Sequence, residues 1–248
     1  MREAAKVLRE KLGGKILPEV NRFLGSVRQL PQGKSHTFTR KMQVENSALV
    51  TDVQVGQRSP KLQAALMVID NLMQPQFYNE LRTSQQLGYI VNSGMTVLEK
   101  TLGLIFIIQS GEYNTEILEQ RMDAFLEKFY LSLKELPDLE LNKIKKSVLH
   151  SKLQKTTSVT SEAGRLFVIA FEKNAEFDQN SKEITAVEEL TKKDILAVVK
   201  SYLLPSKQRK LILRMSGKDH ESGKSSGKLI KSMAKFKEQY ACPENCLP

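Results

Sequence analysis

The side chains that most often do chemistry are sparse in this chain and poorly arranged for it. His36, His150 and His220 are its three histidines, and none stands in a His-x-x-Glu-His or His-Glu-x-x-His frame, so the helix-borne ligand pair of a zinc peptidase is absent. Cys242 and Cys246 are the two cysteines, and with His220 they would supply three metal ligands. Three residues between two cysteines with no second pair is a weak metal pattern, and it reads equally as a C-terminal end with no site. No Gly-x-x-x-x-Gly-Lys phosphate loop and no Gly-x-Ser-x-Gly elbow occur, and Gly13-Gly14-Lys15 lacks the strand that must precede a phosphate cradle. Serines, histidines and acids suitable for nucleophilic catalysis are present, but nothing local orients one against another. From spacing alone no catalytic centre emerges.

Any functional residue must therefore be positioned by the fold. The 248 residues carry 40% hydrophobic and 27% charged side chains, a globular balance that argues against wholesale disorder or a fibrous repeat. The longest apolar run, Leu104 to Ile108, has strand length, far short of the roughly twenty residues of a membrane helix, so no membrane partner is expected. The first twelve residues read as a charged amphipathic helix with no export signal, which leaves cytoplasm and periplasm as alternatives. Of the net charge of +10, the segment Pro205 to Glu238 alone holds +7. An anionic partner is the natural question that such a tail raises, but no base-stacking aromatic pattern accompanies it, so nucleic acid is the least supported partner.

The pattern of elements predicts an α+β domain, a layered sheet with helices packed on one face. Short helices over Ala4 to Leu12 and Leu17 to Phe23 precede a linker, which places residues 1–30 as a helical tail of a preceding domain. The α+β domain is expected over residues 31–217 and a basic, partly mobile tail over 218–248. Strands are predicted at His36 to Met42, Ala48 to Val55, Gly88 to Ser93, Leu102 to Ser110 and Lys210 to Met215. Ser59-Pro60 should start a core helix through Leu66, Ile69 and Met73, and Pro75 should interrupt it and begin a short second helix towards Gln86. Asn114 should cap a helix carrying Met122, Phe125 and Phe129, forming an antiparallel pair with the next helix, through Leu141 and Val148. Further helices are expected over Ser161 to Lys173, Ile184 to Leu190 and Asp194 to Leu203, the last with a capping box starting at Thr191. The stripes Leu66-Ile69-Met73 and Met122-Phe125-Phe129 are read as core, not as ligand pockets.

One segment is distinctive: Phe77-Tyr-Asn-Glu-Leu-Arg-Thr-Ser-Gln-Gln-Leu-Gly-Tyr-Ile-Val-Asn-Ser-Gly94, followed by Phe106-Ile-Ile-Gln-Ser110. It resembles the C-terminal part of the insulin-degrading enzyme and pitrilysin family of inverzincin zinc peptidases. Phe177-Asp178 and Leu190-Thr-Lys-Lys-Asp-Ile195 extend the likeness, and Ile230 to Lys237 continues it more faintly. Roughly residues 15 to 240 are covered, matching the end of the third and all of the fourth of four homologous domains. The resemblance implies a peptidase of two halves enclosing a chamber, with zinc and its motif in the first domain and therefore not held by this chain. It implies that this chain is the non-catalytic portion, whose partners are peptide substrates and the zinc-bearing N-terminal half. By the same resemblance Arg82 and Tyr89 reach the substrate peptide at the zinc and support the transition state.

Chemistry is consistent with those roles, since a guanidinium offers several fixed donors and a phenol can donate to a developing oxyanion. The plainer alternative pairs Arg82 with a surface acid and packs Tyr89 half-buried in its strand. Gln109 and Ser110 are candidate chamber-lining residues, or simply an exposed polar strand end. At the level of the whole chain the rivals are an inactive structural or peptide-binding module of the same fold and, less favoured, a polyanion binder.

Overall fold

The computed structural model describes residues 29–171, 176–224 and 226–239, together with residues 6, 10, 11 and 27. The two helices expected before residue 24, apart from those isolated positions, and both cysteines lie outside the described residues. Strands β1 (Lys34–Lys41) and β2 (Ser47–Gln57) lead into helix α1 (Pro60–Phe77), which runs on as a π-helical turn, Tyr78–Ser84. Strands β3 (Ile90–Leu98) and β4 (Thr101–Ser110) follow, then helices α2 (Thr115–Glu135), α3 (Asp138–Leu153), α4 (Val159–Phe171), α5 (Gln179–Glu189) and α6 (Lys192–Val198). A second π-helical turn, Val199–Leu203, precedes β5 (Arg209–Ser216), β6 (Lys228–Leu229) and α7 (Met233–Gln239).

The six strands form one mixed sheet in the order β3-β4-β2-β5-β1-β6. β2 is antiparallel to both neighbours, β4 and β5, whereas β1 runs parallel to β5 and β6. Strict alternation along β2 and β4 turns Leu49, Val53, Leu104, Phe106 and Ile108 towards the helices, while Val50, Asp52, Ile105 and Ile107 occupy the half-buried opposite face. α1 is buried on most of its circumference because β3 covers one side and α3, α5 and α6 pack around the rest. Phe77 at its end joins the layers, with its ring 5.4 Å from Phe106 of β4 and 5.1 Å, edge-on, from Phe125 of α2.

The helix starts follow from their caps. Ser59 accepts the Leu62 N–H, Asn114 accepts the Ile117 N–H, and Thr191 and Asp194 satisfy each other's backbone amides in a reciprocal box. Two lysines close helix ends from a distance: Lys192 Nζ donates to the Lys134 and Leu136 carbonyls, and Lys145 Nζ donates to those of Glu188 and Leu190.

Three expectations need correction. Pro75 does not start a new helix. It sits inside α1, where it removes the donor that would reach the Asn71 carbonyl, and the chain keeps winding and then widens into the π turn. α2 and α3 are not principally a pair, since α3 packs chiefly on α1 and α5 while α2 lies over β2, β5 and α6. The segment after Gly217, read as a mobile tail, is fastened to the domain. Lys224 N–H donates to Glu116, Thr115 donates to the Ser222 carbonyl, and Ile230 N–H donates to the Thr37 carbonyl at 2.7 Å, where β6 adds to the sheet.

Candidate functional site

The distinctive segment folds as the turn that carries the chain from the end of α1 to the sheet edge. Leu81 and Leu87 are buried in the core, 0% and 2% exposed, and act as the two anchors of the turn. Between them the backbone closes through a hydrogen bond from Gln85 N–H to the Glu80 carbonyl at 2.9 Å and another from Leu87 N–H to the Leu81 carbonyl at 3.0 Å. Gln86 takes a left-handed φ of 51°, which an L side chain adopts at some cost. Gly88 then passes against β4 so closely that a Cβ there would lie 1.8 Å from the Gln109 carbonyl oxygen. Only glycine lets the chain enter β3 at that separation.

Arg82 and Tyr89 emerge on the same rim. The Arg82 guanidinium stands over the Tyr89 ring, 5.6 Å from its centroid. Tyr89 is 84% exposed, and among the described residues no carboxylate pairs with Arg82. The plainer alternative of a surface ion pair and a half-buried phenol is therefore not the arrangement adopted. Arg82 also lines a shallow cavity of about 410 Å³ with Tyr78, Thr83 and Gln86, and Tyr78 is itself 48% exposed. An exposed cation–π contact is worth only about 0.5–1 kcal/mol, less than a charge-assisted hydrogen bond at about 1.5–3 kcal/mol, so an incoming carbonyl or carboxylate can take the guanidinium's donors.

Gln109 and Ser110 do not share this placement. Gln109 is half-buried, opposite Ile90 on β3 and Ala48 on β2, and its carbonyl forms the wall behind Gly88. Ser110 points to the helix side at 1% exposure, and its Oγ accepts the N–H groups of Glu112 and Tyr113 at 3.1 and 3.0 Å. It shapes the turn into α2 and lines no open surface, so the expectation for Ser110 does not hold.

Sequence reasoning missed two groups of charge. Glu80, on the π turn, accepts Gln85 Nε2 and pairs with Lys128 Nζ of α2 at 2.7 Å. Those partners, Lys128 first, hold its carboxyl below the usual range. The second group is buried. Arg214 and Lys210 of β5, counted above as tail charge, lie 2% exposed against Glu119 and Asp123 of α2. Lys210 Nζ reaches both Asp123 oxygens at 3.0 and 2.9 Å, Arg214 donates to Glu119 through Nε and Nη2, and Ser226 donates to the remaining Glu119 oxygen. Burial pushes Asp123 up against the pull of Lys210. No sequence signal marks these pairs, because the partners are some ninety positions apart.

Zinc has no site among these residues: within the described part of the chain no group of three or more His, Cys, Asp or Glu could hold a metal ion. No described helix is long and apolar enough to cross a membrane.

Comparison with known proteins gives one consistent result. Residues 68–167 match the model for the C-terminal lobe domain 4 of PQQ synthase PqqF-like proteins. The chain is 29% identical over 189 residues to the A-factor-processing enzyme of Saccharomyces cerevisiae, covering 75% of this chain and 18% of that protein. It is 29% identical over 180 residues to human insulin-degrading enzyme, covering 71% and 17%. It spans less than a fifth of the length of these curated relatives. Among solved structures, pitrilysin superposes with a TM-score of 0.81 at 21% identity, over 94% of this chain and 25% of that one. A peptidase M16 inactive domain from Pseudomonas fluorescens superposes at 0.58 and 19%, over 81% and 48%. The fold and the sequence relatives together identify the chain as a C-terminal lobe domain of the M16 peptidase family, to which insulin-degrading enzyme and pitrilysin belong.

Proposed function

We propose that this chain is the non-catalytic C-terminal portion of a zinc metalloendopeptidase, which binds peptide substrate and completes an active site whose zinc is held by an N-terminal half. The observation that carries the reading is the unpaired Arg82 guanidinium beside the exposed Tyr89 on one rim. In that role Arg82 donates hydrogen bonds to a carbonyl of the bound peptide and fixes its register, and the Tyr89 hydroxyl donates to the oxygen on which negative charge builds in the tetrahedral transition state. Neither residue activates water, so the chain alone hydrolyses nothing.

The test combines the chain with the zinc-bearing half and follows cleavage of an internally quenched peptide. Arg82→Ala and Tyr89→Phe are expected to lower kcat/KM by about 10- to 1000-fold, the range for loss of a single donor to a transition-state oxyanion. Wild-type rates in both variants, or no cleavage by the wild-type pair, would refute the assignment.

The second reading, an inactive module of the same fold, is favoured by the likeness to the inactive domain from Pseudomonas fluorescens. It predicts peptide binding that Arg82→Ala weakens without any cleavage on recombination. The polyanion reading loses ground because Lys210 and Arg214 are spent inside the protein.

A further inference from the structure

We propose that Glu80 is a positioning residue for the Arg82–Tyr89 pair, acting as a clamp that ties their turn to α2 through Lys128. This rests on the reading of Arg82 and Tyr89 just given and deepens it. Arg82 sits on a π-helical turn and Tyr89 one residue before a strand, so the six residues between them belong to no regular ladder that would set their separation. Leu81 and Leu87 fix where the turn enters and leaves the core, but neither determines how the exposed arc between them sits above it.

Glu80 bridges that arc with three of its atoms. Its carbonyl accepts the Gln85 N–H, its Oε1 accepts Gln85 Nε2 at 3.1 Å, and its Oε2 accepts Lys128 Nζ at 2.7 Å. Lys128 is set between Phe125 and Phe129, whose buried rings stack 6.1 Å apart, and Phe125 in turn meets Phe77. The clamp thus runs from the rim to the part of α2 most firmly held by the core. Arg82 has several rotatable bonds and only an aromatic face to hold it, so the backbone below must be fixed if the guanidinium is to meet a substrate in one place. A displacement of about 1 Å at a group that supports a reacting centre can cost about 100-fold in rate.

An ordinary surface ion pair of this kind would affect stability slightly and nothing else. The roles separate by experiment with the recombined enzyme and the internally quenched peptide. Glu80→Ala and Lys128→Ala should each lower kcat about tenfold with KM within about twofold, and the exchanged pair Glu80→Lys with Lys128→Glu should recover most of the rate. The melting temperature of every variant should stay within about 3 °C of wild type. A second measurement needs no activity: nuclear Overhauser contacts between the Arg82 side chain and the Tyr89 ring in the full chain should weaken in both single variants and return in the exchanged pair. Unchanged kcat and unchanged contacts in the single variants would overturn the clamp. An Arg82→Ala enzyme with the wild-type rate would instead overturn the functional reading, and the contact measurement would still decide whether Glu80 sets the geometry.

Discussion

Two arginines of this domain have opposite fates, and α2 is involved in both. Arg214, on β5, is buried against Glu119, with its remaining donors on the Ser222 and Lys224 carbonyls. Arg82, on the π turn, meets only an aromatic face at the rim. In the first region two cations face two acids with almost every oxygen and proton satisfied, so the group has nothing left to offer a ligand. In the second, the acid at hand, Glu80, is turned towards Lys128 and Gln85, and the guanidinium is left with free donors. Charge that is paired and buried determines architecture, whereas charge held in place but unpaired is available for recognition.

The sharpest way to break the comparison is to remove the shared acid. Glu119→Ala strips Arg214 of its carboxylate and Ser226 of its acceptor, leaving an uncompensated buried charge, and should cost about 3–5 kcal/mol of unfolding free energy by urea denaturation. Arg82→Ala, measured in the same way, should change stability by less than about 0.5 kcal/mol. If the two variants unfolded alike, the division into structural and available charge would fail.

That division was not legible in the sequence, although much of the scaffold was. The spacing of Leu66, Ile69 and Met73 and of Met122, Phe125 and Phe129 reports a local period, which survives any topology, and both stripes are in the core. Caps at Ser59, Asn114 and Thr191 are equally local and stand as expected. What failed depended on distance or on competing local energies. The period cannot say which helix α3 meets. Nor does a proline in the last turn of a well-packed helix break it when Phe77 and Leu81 beyond are held by the core. Ser110 looked like an exposed strand end because its two acceptor contacts are with the next turn, not with the strand. Lys210 and Arg214 were counted as tail charge for the same reason: their acids lie on another element. Arg82 and Tyr89 were singled out by resemblance, and their closeness in space depends on Gly88, whose tight approach to β4 no composition reveals.

Gly88→Ala tests that dependence and should have the second-largest effect. Its Cβ would overlap the Gln109 carbonyl, so either β4 or the turn must shift, at about 1–3 kcal/mol. Because the turn is the less buried of the two, it should move, and peptide cleavage by the recombined enzyme should fall together with stability. A variant that lost stability but kept full cleavage would show that the rim tolerates displacement, and the contrast between the two arginines would then rest on pairing alone.

The smallest effect belongs to a charge of an intermediate kind, partly exposed yet fully engaged. Asp194 completes the capping box of α6, accepts the Thr191 N–H and pairs with Lys61 Nζ at 2.7 Å. Those partners, the hydrogen bond from Lys61 foremost, hold its carboxyl down at about 2, against an unperturbed 3.8. A carboxyl with a depressed folded pKa contributes stability that is complete above its unfolded value and is lost as the pH falls through the folded one. The contribution of Asp194 should therefore be constant from neutral pH to about 5 and fade between about 4 and 2. Asp194→Ala should cost about 1 kcal/mol at pH 7, as the loss of a cap does. Asp194→Asn keeps an acceptor but does not titrate, so its stability difference from wild type should shrink as urea unfolding is repeated at lower pH. A difference that stayed level from pH 6 to pH 2 would mean the cap works through geometry alone, and that exposed charge on this domain matters only where, as at Arg82, it is left without a partner.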